Sequence, residues 1–394
     1  MEASTHIVSS PRQKLKGYEF YDQVLGSPKY VVAPMVDQSE LAWRTLSRRY
    51  GVQLAYTPMI NAKMYANNKR NGYREIAFNT VFGEEGGPGD RPLIIQFCAN
   101  DPEQLLASAT ALEKHCDGVD INLGCPQDIA RKGHYGSFLQ DEWDLIYQLI
   151  NTLHTNLSIP VTAKFRVFPS LEKTVEYAKM LERAGAQILT CHGRTREQRG
   201  QNTGLADWVK IRAVKEAVSV PVFANGNILT HSDIARCLAE TGADAVMSAE
   251  GQLYNAALFA PSPAPSTSGG LHPRHADLAL EYLDIVSSQK TPTPPSGIKG
   301  HLFKLLRPAL SREIDLRNAL GQLRGADLAP YYQIVREMKK RMDRDADEAA
   351  GDEGNEEVGE RRFPHWVVQP YVRPLPPSQK QVEGEFQSLL DNGC

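Results

Sequence analysis

Eight short runs rich in Val, Ile and Leu alternate with helical patterns over the first two-thirds of the 394-residue chain. Alternation of this kind implies an α/β fold with a parallel sheet, and eight units imply closure into a (β/α)8 TIM barrel. An open doubly wound sheet is the competing arrangement, but no G-x-G-x-x-G follows the first run. After Phe259 a Pro/Ser/Gly segment gives way to helical periodicity alone. The expected fold is therefore a barrel followed by a smaller all-helical domain and a partly disordered C-terminal tail.

Residues 1–29 form an extension before the first run. Barrel strands are expected at Tyr30–Ala33, Gln53–Tyr56, Leu93–Phe97, Gly118–Ile121, Val161–Phe165, Gln187–Cys191, Val222–Asn225 and Ala245–Ser248. Helices such as Pro102–His115, Asp141–Leu157, Ser170–Ala184 and Ser232–Thr241 lie between them. The barrel unit spans residues 30–260 and is followed by a linker by composition, residues 261–271. A helical domain over 272–342 comes next. Between 343 and 360 stand nine acidic residues and one basic, with no aromatics, so residues 343–362 are read as a disordered acidic insert. The segment 363–394 opens with aromatics, Phe363 and Trp366, and is expected to pack back on the body.

Without the acidic run the chain carries +5 against a total of −3, which permits an anionic partner without demanding one. No apolar run approaches the roughly 18 residues of a membrane span. The N-terminus lacks a signal-peptide pattern, and none of the six cysteines forms a C-x-x-C pair. This argues against a disulfide framework or a zinc ribbon and leads to a reduced cytoplasmic or nuclear setting with no metal centre.

The most informative segment is Val119-Asp120-Ile121-Asn122-Leu123-Gly124-Cys125-Pro126-Gln127. A buried strand ends at an Asn, and Gly and Pro then force a turn that holds a cysteine. A thiol at a strand's C-terminal end is where a barrel places a reactive group. A structural cysteine beside an ordinary turn fits the same segment equally well. Other strand ends carry polar groups too: Pro34-Met35, Gln96, Lys164, Arg166, His192 and Asn225-Gly226. Singly, a strand-end Lys is more often a solvated side chain and a His a satisfied structural residue. Together they suit a flat heterocycle, with Lys164 beside an edge that becomes anionic on reduction and Gln96 beside a pyrimidine-like edge. Asn225-Gly226-Asn227 and Ala249-Glu250-Gly251 end the last two strands, where barrels bind phosphate. The sum is FMN rather than a dinucleotide, although other phosphorylated ligands use the same corner. Lys299, His301, Lys304, Arg307 and Arg312, with Phe303 among them, form a basic stretch that on spacing alone favours a solvated face.

These residues carry a resemblance. The segments Ala33-Pro34-Met35-Val36-Asp37-Gln38-Ser39-Glu40, Asn122-Leu123-Gly124-Cys125-Pro126-Gln127, Lys164-Phe165-Arg166, Cys191-His192-Gly193-Arg194-Thr195-Arg196 and Pro221 to Ile228 resemble the tRNA-dihydrouridine synthases. Met35 to Arg44, His301-Leu302-Phe303-Lys304 and the Trp366 to Pro374 tail look like the eukaryotic branch, which modifies positions 16 and 17 of the tRNA D-loop. The resemblance implies bound FMN, NADPH as reductant, and saturation of the uridine C5–C6 bond, with hydride added at C6. Cys125 would then be the proton donor at C5. Lys164 and His192 would hold the flavin O2 side and Gln96 its O4 side, with Pro34, Met35 and Val36 near the ring. Asn225, Gly226, Asn227, Ala249 and Glu250 would form the phosphate end. Asn122 and Arg166 would meet uracil or flavin. Arg194, Lys299, His301, Lys304 and Arg307 would meet tRNA, to which the chain would bind as a monomer. One departure stands out: many relatives carry Gly-Arg where this chain has Ala249-Glu250. Two rival readings remain, an FMN barrel reducing a free pyrimidine and a non-catalytic tRNA-binding protein.

Overall fold

The computed structural model describes residues 14–68, 72–261, 270–350 and 363–373. Nine parallel strands run in chain order: β1 (Tyr30–Val32), β2 (Leu54–Tyr56), β3 (Ile60–Asn61), β4 (Leu93–Cys98), β5 (Gly118–Leu123), β6 (Val161–Arg166), β7 (Leu189–His192), β8 (Val222–Asn225) and β9 (Ala245–Ser248). β1 pairs with both β2 and β9, and β2 pairs with β4, so eight strands close into the expected barrel. The two-residue β3 merely pairs alongside the C-terminal end of β4. β7 starts two residues later than its sequence suggests. Gln187 lies before it, where its side chain accepts from Gly17 N–H and donates to Gly185 O.

The N-terminal end of the barrel is filled and sealed. Val31, Leu54, Tyr56, Ile94, Ile188, Phe223 and Met247 form one buried cluster inside it, and the helix Gly17–Gln23 inserts Phe20 and Tyr21 beneath them. Gly118 fits tightly, since a Cβ there would lie 3.1 Å from Phe20 and 3.0 Å from Ile94, and those side chains would have to give by a few tenths of an ångström. Burying Phe20 alone stabilises the plug by about 1.5–3 kcal/mol. With that end closed, chemistry is left to the opposite, C-terminal ends of the strands.

The helical domain comprises Pro295–Leu305, Arg307–Leu310, Ile314–Gln322 and two longer helices, His275–Ser288 and Ala329–Ala350. A buried polar knot fastens it to the barrel. The Trp43 indole stacks on the His301 ring at 4.0 Å between centroids and donates to Gln252 Oε1 at 2.5 Å. Glu40 receives Tyr282 OH at 2.8 Å and meets His301 Nε2 at 3.0 Å. The loop after β1 presses so closely on Pro295–Leu305 that a Cβ at Gly300 would sit 2.5 Å from the Gln38 amide.

One boundary moves. The last helix runs to Ala350, eight residues into the stretch expected to be a disordered insert from 343. Ala and Glu favour helix, and Asp343 is neutralised by Lys339 one turn earlier and by Arg274, while Asp345 pairs with His365 at 2.8 Å. Residues 351–362, most of the expected linker (262–269), and 374–394 lie outside the described residues. The segment 363–373 does pack on the body. His275 N–H donates to Trp366 O at 3.1 Å, Val368 N–H donates to Pro273 O at 3.0 Å, and Val368 is buried.

Candidate active site

Sheet register brings the strand-end groups together. Gln96 lies opposite Asp120, Asp120 opposite Thr162, Asn122 opposite Lys164, Arg166 opposite His192, and His192 opposite Asn225. From these pairs a directed chain of hydrogen bonds forms. Thr162 Oγ1 and Gln96 Nε2 donate to the two Asp120 oxygens at 2.6 and 2.7 Å. Asn122 Nδ2 donates to Gln96 Oε1 at 2.8 Å, and Asn122 Oδ1 accepts from the N–H groups of Gly124 (3.1 Å) and Cys125 (2.9 Å). The carboxylate can only accept, so it sets the direction of every amide above it. The chain ends at the backbone of the cysteine turn.

The other side of that turn is fixed as well. Ser137 donates to Cys125 O through N–H (3.1 Å) and through Oγ (3.0 Å). Gly136, at φ +66°, lets the two backbones meet, since a Cβ there would lie 2.7 Å from Cys125 O. The thiol is half-buried, and desolvation pushes its pKa up against the pull of the Gln127 N–H, Arg166 and Lys164. It stays protonated at neutral pH and is suited to giving a proton rather than attacking.

Lys164 Nζ donates to Asn225 Oδ1 at 2.8 Å, and Asn225 is itself anchored to Met247 O. Burial, helped by Arg166, brings the Lys164 ammonium down to about 8. Arg194 can only donate, so its 3.0 Å contact makes His192 Nε2 the acceptor and leaves the ring proton on Nδ1. Burial holds the His192 pKa well below the ordinary value, so the ring is neutral. His192, Arg194, Asn225, Gly226, Asn227, Ala249 and Glu250 surround a cavity of about 150 Å³. Gly226, at φ +112°, is required there because a Cβ would lie 2.6 Å from Ala206. Pro34 and Met35 are half-buried in the loop after β1.

Other residues named from the sequence have these surroundings. Val36 is exposed and lines a different cavity with Pro58, Ile76 and Pro292. Gln96 is fully buried, and its amide is taken up by Asp120 and Asn122. Arg166 is buried and donates to Thr195 O (2.8 Å) and Gln198 O (2.9 Å), so it holds the loop after β7. Arg194 reaches Asn227 Oδ1 at 2.9 Å and lines the cavity beside Gly226. Lys299 Nζ caps the helix Ile314–Gln322 through Gly321 O (3.0 Å) and Leu323 O (2.6 Å). His301 is entirely buried in the interdomain knot.

Of the basic stretch, Lys304 and Arg307 do face a wide cleft of about 800 Å³, with Arg312, Arg317, His365 and Phe363. His301→Ala should therefore act on folding. It is expected to cost about 2–4 kcal/mol, as loss of a large buried side chain does, read as a lower urea midpoint. Any affinity for RNA should keep its salt dependence. Weakened RNA binding at full stability would show that the ring has a direct contact.

Asp120 is the functional residue that pattern reading passed over. A charged residue inside an apolar strand is itself the signal: buried acids need partners, and Asp120 alternates with Asn122 on one strand face.

A (β/α)8 barrel with a protonated thiol, a half-buried lysine and a polar cavity of about 150 Å³ at its strand ends defines a class of barrel enzyme. Comparison with known sequences gives the family. Residues 31–292 match the family model for dihydrouridine synthase (Dus). A tRNA-dihydrouridine(16/17) synthase [NAD(P)(+)] of Saccharomyces cerevisiae is 48% identical over 92% of this chain and 88% of its own. Its counterpart in Schizosaccharomyces pombe is 47% identical over 92% of both chains, and one from Mus musculus, described as synthase-like, is 47% identical over 92% of this chain and 72% of its own. This chain belongs to the dihydrouridine synthase family.

Proposed function

We propose that this chain reduces the C5–C6 bond of uridine at positions 16 and 17 of the tRNA D-loop, with FMN as bound cofactor, NADPH as its reductant and Cys125 as proton donor. The observation that carries the reading is the hydrogen-bond chain from Asp120 through Gln96 and Asn122 to Cys125 N–H, which fixes the turn of a protonated thiol that feels the Arg166 and Lys164 charges. The names of relatives at 47–48% identity support the substrate and the position.

The residues fit the cofactor. The cavity beside Arg194 and the tight Gly226 turn suit a phosphate group, and Lys164 suits a ring edge that gains negative charge. When bound, FMN supplies the hydride for C6 of the uracil. Lys164 and neutral His192, through Nδ1–H, would hold the ring's O2 side. Asn122 holds Cys125 in place, and the thiol gives its proton to C5. The resulting thiolate would be stabilised by the Arg166 and Lys164 charges and by the Gln127 N–H. A uridine must be splayed out of the D-loop to enter this mouth. The cleft bearing Lys304 and Arg307 would grip the phosphates on one side of it.

The purified protein should be yellow and should convert uridine in unmodified tRNA to dihydrouridine with NADPH. Sequencing-based mapping in cells lacking it should show loss at 16 and 17. An unchanged D-loop profile would sink the position assignment, and tRNA affinity without salt dependence would count against an RNA substrate.

A further inference from the structure

The segment 363–373 reaches the rim of the cavity lined by Arg194 and Glu250, and its final described residues are tied down there. The Tyr371 ring lies 5.0 Å from that of Tyr254, and the Arg307 guanidinium sits 4.0 Å from the Tyr371 centroid. Two residues on, Arg373 grips both oxygens of Glu250, Nε to Oε2 at 2.9 Å and Nη2 to Oε1 at 2.5 Å. Glu250 and Arg194 both line the cavity. Left alone, these two charges cancel, and a carboxylate at the wall would repel an incoming phosphate dianion.

We propose that Arg373 is a component of the cofactor site: by pairing with Glu250 it neutralises that carboxylate, so that Arg194 can hold the phosphate of a flavin nucleotide. The C-terminal segment thereby supplies, from 123 positions away, the positive charge that Glu250 cannot. The three groups already sense one another, since Glu250 supports the Arg194 charge and Arg373 opposes it, both after the larger effect of burial. A bidentate Arg–carboxylate pair also leaves donors on Arg373 unused, so the pair does not have to open when an anion arrives.

The inference rests on the reading of this site as an FMN site, and the test separates the two. Full-length protein stripped of flavin is titrated with FMN and with riboflavin, which lacks the phosphate, following flavin fluorescence. Native protein should prefer FMN. Arg373→Ala should weaken FMN by about tenfold or more, the scale of one uncompensated nearby charge, and leave riboflavin unchanged. Arg373→Ala combined with Glu250→Gln should regain most of the lost FMN affinity, because the carboxylate to be neutralised is gone. Equal loss of both flavins in Arg373→Ala, no loss of either, or no recovery in the double variant would each overturn the role given to Arg373. Native protein that binds neither flavin would overturn the FMN reading itself.

Discussion

Cys125→Ala is expected to keep its flavin and to lose at least about 100-fold in turnover, the usual contribution of a positioned acid. The groups proposed to hold the cofactor and the thiol are carried by different elements. Lys164, His192 and Arg194 stand on β6, β7 and the loop that follows, while Cys125 is held by Asn122 and Ser137. Alanine removes Sγ and leaves the backbone bonds of the turn intact. Cys125→Ser should be nearly as slow, because an alkyl hydroxyl is a far weaker acid than a thiol. Measurement is by single turnover: pre-reduced variant is mixed with unmodified tRNA and flavin reoxidation is followed. A variant that reoxidises at the native rate would move the proton donor elsewhere. The first place to look would be Cys98 and Tyr135, which share a buried cluster with Cys125.

The barrel was legible because each strand is a short apolar run, and the strand-end groups stood out because barrels concentrate chemistry there. The tasks of individual residues were less legible, since they depend on partners far along the chain. His301 sits in a run of basic residues, yet Glu40, 261 positions away, and Trp43 complete a buried slot for it. Lys299 looks solvated until the helix end at Gly321 to Leu323 needs a cap. Asp120 meets Gln96 only through sheet register. The reach of the last helix was hidden by its charge density, because neutralisation by Arg274 and His365 is a tertiary effect. Composition led to the expectation that 363–394 packs back on the body, of which 363–373 are described, but nothing local indicated that Arg373 meets Glu250.

A pH optimum between about 6 and 8 is the second large effect expected, and its limbs have owners. Burial raises the Asp120 carboxyl to about 6, against the pull of Thr162, Gln96 and Lys164. Burial lowers Lys164 to about 8, with Arg166 adding to the shift and Asp120 opposing it. A carboxyl is charged above its pKa and an ammonium below, so both carry charge only inside that window. As pH falls through 6, Asp120 gains a proton and can no longer accept from both Thr162 and Gln96. The amide above it is then free to flip, and Asn122 loses its fixed direction. As pH rises through 8, Lys164 loses the charge proposed to support an anionic ring edge. The Cys125 thiol, raised by burial, is still protonated when Lys164 begins to titrate. Lys164→Met should lower kcat/KM by about 100-fold, in line with removal of one preorganised electrostatic contact. It should also flatten the alkaline limb. Asp120→Asn should flatten the acidic limb and weaken catalysis less. Profiles of kcat/KM against pH for the three proteins decide the matter: an alkaline limb that persists unchanged in Lys164→Met would assign it to the thiol instead.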